Sequence, residues 1–165
     1  MRTTQLFRIA TVGLAVLLAP LLVGAPAFDE GDQIAGFWNV REQLLSGCPT
    51  GDPVRDIPDL NIFFKSGEFI EAAGSPSVGS PPLQRVMPGL GTWAHAGGRH
   101  FTSEFRFFRY SAEDDTFAGV QTASKEIELG EDGNSFTSTG TTDIFDANGN
   151  HLATRCSRGA AVRIK

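Results

Sequence analysis

The chain has 165 residues, 41% of them hydrophobic and 20% charged, which is material for one packed domain. A formal charge of −5 excludes a nucleic-acid binder working through a basic surface, and 13 Phe exclude a disordered chain. Two Cys are too few for a cysteine-dense scaffold.

Met1 to Ala27 has the form of a secretory leader. Arg2 and Arg8 supply the positive start, Ile9 to Val23 the apolar stretch, and Ala25-Pro26-Ala27 an A-x-A cleavage site. The apolar stretch is short for a span of ~20 residues and Pro20 interrupts it, so no stable membrane insertion is expected after cleavage. Removing 27 residues from 165 leaves 138, residues 28–165, with 12 basic and 19 acidic side chains and a net charge of −7. The expected address is secreted or periplasmic. In such an oxidising compartment Cys48 and Cys156 read as a disulfide. It would close a loop of about 108 residues and contribute roughly 4–5 kcal/mol in the chain-entropy treatment.

The seven prolines after the leader all lie between Pro49 and Pro88. Because proline cannot donate to a strand ladder, this window is expected to hold two long loops, Ser46 to Asp59 and Gly74 to Pro88. Elsewhere the turns are short and glycine-rich: Ser66-Gly67, Gly97-Gly98, Asp132-Gly133-Asn134 and Asn148-Gly149-Asn150, with an acidic turn at Ser111 to Thr116. These signals predict eight strands near 34–45, 60–64, 68–73, 89–95, 99–110, 119–129, 135–145 and 151–164. Consecutive hairpins predict an all-β, eight-stranded antiparallel up-and-down barrel closed between its first and last strands. An open two-sheet sandwich is the rival.

Alternation assigns the faces. Phe101, Ser103, Phe105 and Phe107 should point inward, with Thr102, Glu104 and Arg106 outward. In the seventh strand Phe136, Ser138, Gly140, Thr142 and Ile144 share a face whose middle is small. Bulky rings on one wall and small residues on another leave two readings open, a cavity or a lumen filled by the rings. If the cysteines are nearly opposite, Arg41 should lie near Arg163 and Glu42 near Val162.

Gly36-Phe37-Trp38 resembles the G-x-W signature of lipocalins and the wider calycin group. The resemblance implies that Trp38 closes one end of the barrel and that an Arg from a late strand, Arg155 or Arg163, packs across it. Lipocalins carry a helix after the barrel, whereas here the last predicted strand runs to the end of the sequence. Most of the chain after the leader is similar to a group of uncharacterised secreted bacterial barrel proteins. The similarity rests on Gly36 to Trp38, Gly91-Thr92-Trp93 with Gly97-Gly98, Asp132 to Thr137, Phe145 to Gly149, and Cys156. It implies the fold and carries no activity.

Motifs for chemistry are scarce. His95, His100 and His151 read as solvated residues flanking turns, so no metal site is assigned. Asp146 to Asn150 looks like a calcium loop, but His151 and Ser157 stand where the sixth-position Gly and twelfth-position Glu belong. There is no G-x-S-x-G and no glycine-rich phosphate cradle, so no catalytic residue and no cofactor is assigned. Glu42, Glu71 and Glu104 would be paired carboxylates if two faced the lumen. Alternation places Glu104 outward and Glu42 inward, with an Arg partner expected for Glu42.

The lumen lining is expected to draw on Trp38, Phe69, Trp93, Phe105, Phe107 and Phe136, with Ser138 and Thr142 as polar anchors. The first functional expectation is therefore an exported barrel that binds a small apolar or amphipathic molecule. Two alternatives stand beside it. One is an interaction or inhibitor module presenting apolar surface near Val54 to Leu60 or Pro81 to Leu90. The other is a cyclase- or isomerase-type barrel, which would need a lumen carboxylate or His with a shifted pKa.

Overall fold

The computed structural model describes residues 30–75 and 83–165. The expected leader, residues 1–27, and Pro76, Pro81 and Pro82 of the second predicted loop lie outside the described residues. A 3₁₀ turn, Glu30–Ile34, precedes nine strands: β1 (Gly36–Leu45), β2 (Pro53–Phe63), β3 (Glu68–Ala73), β4 (Leu83–Gln84), β5 (Gly89–Gly97), β6 (His100–Ser111), β7 (Phe117–Leu129), β8 (Ser135–Phe145) and β9 (His151–Arg163).

The hydrogen-bonded order β6-β5-β3-β2-β1-β9-β8-β7 returns to its start through the β6–β7 pairing. Eight antiparallel strands thus close into a barrel, and the open sandwich is excluded. Closure removes the unpaired edges that an open sheet would present. The two-residue β4 pairs with the end of β6 through Leu83 and Ser111, an extra strand inside what the prolines suggested was loop.

The first long loop is also shorter than expected. β2 begins at Pro53 instead of residue 60, so only Ser46 to Asp52 connects it to β1. Pro58 is accommodated by its position. Its carbonyl accepts from the Gly74 N–H at 2.7 Å, just past the end of β3, so the missing Pro58 donor faces the same side, beyond the end of that strand.

β1 and β9 pair as expected from closure, but the register is displaced by three residues. Trp38 stands opposite Arg163 and Glu42 opposite Gly159; Arg41 does not meet Arg163, nor Glu42 Val162. The reason is where the disulfide sits. Cys48 lies past the end of β1, and the turn folds back to bring its Cα within 5.1 Å of that of Cys156, so the bond does not join directly paired residues.

One end of the lumen is packed solid. Trp38 is fully buried and its indole N–H donates to Ile34 O at 2.8 Å, tying the 3₁₀ turn beneath the barrel. Of the two Arg candidates, it is Arg163 that lies over the Trp38 ring, 4.2 Å from its centroid. Arg163 also donates to Ala35 O at 2.7 Å and to Gly133 O at 3.0 Å, which binds the entry of β1 to the β7–β8 turn. Trp38 meets Phe136 with centroids 4.8 Å apart, Phe63 meets Phe69 at 4.7 Å, and Phe69 meets Phe105 at 5.3 Å. Such tilted ring pairs add to the burial that dominates core stability.

Candidate functional site

Followed from the packed end, the inward residues of successive strands change character at the same depth. β1 turns Trp38, Val40 and then Glu42 inward; β2 turns Phe63, Asn61 and Asp59; β3 turns Phe69 and Glu71; β7 turns Leu129, Ile127 and Lys125. Rings and aliphatics therefore fill the bottom, and a belt of ionisable groups crosses the middle. Above the belt lies a cavity of about 320 Å³. Leu45, Phe105, Phe107, Ala123 and Ile144 form its apolar walls, and Arg109, Gln121 and Thr142 are set among them.

Two ion pairs span the belt. Lys125 Nζ donates to Glu42 Oε2 at 2.9 Å, and Arg85 grips Glu71 with two bonds, Nη2 to Oε2 at 2.6 Å and Nη1 to Oε1 at 3.2 Å. All four side chains are buried, so each charge depends on its partner for the solvation it has lost. Glu42 is inward as expected, but its partner is Lys125 rather than an Arg. Gly159 makes room for this pair, because a Cβ there would come within 2.7 Å of Glu42 Oε2 and 2.6 Å of Ser138 Oγ. Arg85 enters from the segment between β4 and β5, lies 4.0 Å over the Phe107 ring and donates to Met87 O at 3.3 Å.

Asp59 has no such partner. Burial, and then the neighbouring Glu71 carboxylate, push its pKa up to about 8, against the pull of Lys125. It therefore holds a proton near neutrality. Turning the Asn61 amide nitrogen toward it gives a 3.1 Å bond to Oδ2, and the protonated carboxyl hydrogen-bonds the Glu71 carboxylate. Burial pulls the Lys125 ammonium down, but the Glu42, Asp59 and Glu71 carboxylates outweigh it and hold the pKa above the ordinary lysine value. Arg109 is 4% exposed; burial lowers its pKa, and Asp146 works in the opposite direction.

The lining predicted from sequence divides. Phe105, Phe107 and Thr142 line the cavity, and Cys156 stands beside it. Trp38, Phe69 and Phe136 belong to the packed end instead. Trp93 is partly buried against Phe63 and Phe101 and donates its indole N–H to Phe64 O at 2.8 Å. Ser138 is buried in the lumen outside the cavity lining, its Oγ without a partner among the described residues. These positions have one cause. Inward-pointing rings stack where the barrel is closed by the Trp38 cap, and at the other end β8 offers only Thr142 and Ile144.

Asp59, Arg85, Arg109, Gln121 and Lys125 escaped the sequence reading. Alternation signalled three of them, because Arg109 continues the Phe101-Ser103-Phe105-Phe107 series and Lys125 and Gln121 continue from Ile127. Asp59 lies where the prolines suggest loop and the chain instead forms β2. Of the three carboxylates weighed together, Glu42 and Glu71 face the lumen, each with its own cation, and Glu104 faces solvent. His95 and His151 are exposed, the first bonded to Gly98 O at 2.8 Å and the second 3.2 Å from Asp143. Comparison of the chain with protein-family models and with curated proteins finds no match.

Proposed function

We propose that this barrel binds a small amphipathic molecule in the lumen above the charged belt. The carrying observation is the composition of the cavity wall. Phe105, Phe107, Leu45 and Ile144 offer apolar surface, while Arg109 Nε and Gln121 Oε1 are buried polar atoms with no partner among the described residues. Leaving such atoms unbonded costs about 1–3 kcal/mol each, a cost that a polar ligand group would relieve. About 320 Å³ is at the lower end for small-molecule sites, which sets the ligand size. A purely apolar ligand suits this lining less well than an amphipathic one. Residues 1–27 and the Cys48–Cys156 disulfide support export to the periplasm or beyond.

Titration with the neutral probe N-phenyl-1-naphthylamine tests this reading through energy transfer from Trp38 and Trp93. Saturable one-to-one binding is expected, and Thr142→Phe, which fills the cavity, should abolish it. Absence of saturable binding to the wild-type barrel would remove the reading.

Asp59 favours a second reading, a barrel enzyme of the isomerase kind, since a lumen carboxyl that keeps its proton near neutrality is suited to proton transfer. An interaction module has less support. Val54, Leu60, Val86 and Leu90 are exposed, but that reading also wanted a filled barrel.

A further inference from the structure

The lumen-binding reading leaves the ligand's head group undefined, and the charges around the cavity define it. Glu71 is compensated by Arg85 and Glu42 by Lys125. Asp59 is neutral near pH 7. Arg109 is left. Its Nη2 donates to Phe145 O at 2.6 Å and to Ala118 O at 3.3 Å, and its Nε has no partner among the described residues. Asp146, whose field reaches it, spends its oxygens on Asn148 N and on the backbone and side-chain amides of Asn150. A buried guanidinium with only carbonyl partners is a place for one negative charge.

Gln121 adds a second requirement. It is the cross-strand partner of Phe107, and Arg109 follows Phe107 by two on the same inward face, so Arg109 and Gln121 are diagonal neighbours on one wall. Gln121 Oε1 is likewise buried without a partner. A charged N–H donor beside a carbonyl acceptor complements an anionic oxygen whose neighbouring atom carries a hydrogen-bond donor.

Resting on the lumen-binding reading, we infer that the ligand is a small amphipathic 2-hydroxy acid. Its carboxylate accepts from Arg109 Nε, its hydroxyl donates to Gln121 Oε1, and its alkyl chain lies against Phe107, Ile144 and Leu45. A plain carboxylate satisfies only the first contact, and an alcohol of the same chain length brings no charge.

Calorimetry on the exported protein with 2-hydroxydecanoate, decanoate and decanol tests this inference. The hydroxy acid should bind at least about fivefold tighter than decanoate, and decanoate at least about tenfold tighter than decanol, the scale of one neutral and one charge-assisted hydrogen bond. Gln121→Leu should erase the first ratio and Arg109→Met the second. If Arg109→Met does not fold, the wild-type series and Gln121→Leu still decide the matter. Equal binding of the three compounds overturns the head-group assignment while the lumen site stands. Failure of all three together with failure of the naphthylamine probe overturns the lumen site itself.

Discussion

Glu42 and Lys125 are 83 positions apart in the chain and meet at 2.9 Å across the lumen, one from β1 and the other from β7. Neither strand is paired with the other, so only closure of the barrel brings them together. Both side chains are more than nine-tenths buried. The pair marks the boundary between the packed aromatic end and the cavity.

Breaking this pair from one side should be costly. Glu42→Ala leaves a buried ammonium with its closest anion gone and is expected to lose about 3–5 kcal/mol of folding stability. The double variant Glu42→Leu with Lys125→Met should recover most of that loss, because both desolvation costs vanish together. Denaturant unfolding of the three proteins checks this. Single and double variants equally destabilised would show that packing, not charge, governs the position.

Asp59 makes stability depend on pH with a definite sign. Its pKa is about 8 in the fold against an ordinary aspartate value of 3.8. Below about 4 both states are protonated and burial of the carboxyl carries no ionisation penalty. Between about 4 and 8 the folded state binds a proton that the unfolded chain has released, so stability falls as pH rises, by at most about 1.4 kcal/mol per pH unit. Exposed carboxylates such as Asp132 and Asp146 are held low by their own turns and titrate below this window. Thermal melts from pH 5 to 8 should therefore show a falling Tm for the wild type and a much flatter profile for Asp59→Asn. The same slope in both proteins would remove Asp59 as its cause.

The disulfide closes 108 positions of sequence between the β1–β2 turn and β9. Replacing both cysteines by Ser should cost about 4–5 kcal/mol, chiefly by freeing the unfolded chain. Reductant should lower the wild-type Tm toward that of the double-Ser variant and leave the variant unmoved. A change in the variant's Tm with reductant would contradict this account.

Arg163 donates to three carbonyls on two separate segments at the packed end, Gln33 and Ala35 on one and Gly133 on the other, and covers the Trp38 ring. Arg163→Ala should cost roughly 2–4 kcal/mol from lost charge-assisted bonds and the cation–ring contact. Trp38 emission should shift to the red as water reaches the ring. Arg155→Ala, at an exposed position, serves as the control and should change neither quantity appreciably.

The barrel was legible because its signals are local. Gly-rich turns mark each hairpin, and two-residue alternation marks each face, as Phe101 to Phe107 illustrates. Proline was the misleading signal. A proline suggests loop at Pro58, yet its missing donor faces beyond the end of β3, where no ladder bond is needed. That one assignment concealed Asp59, the most perturbed carboxyl of the lumen. The register of β1 against β9 failed for a related reason: a disulfide from a turn says which strands are near, not which residues are opposite.

By itself the sequence determined that the chain forms an antiparallel barrel, that Cys48 is matched with Cys156, and that the face carrying Phe105 and Phe107 points inward. Hairpin turns and strand alternation act over a few residues, so a linear reading reaches them. Tertiary structure alone decided that Trp38, Phe69 and Phe136 seal one end while Arg109 and Gln121 line a cavity at the other, and that Glu42 answers to Lys125. Depth along a closed barrel is set by strand stagger and register summed over eight strands, and buried charges find their partners across that closure.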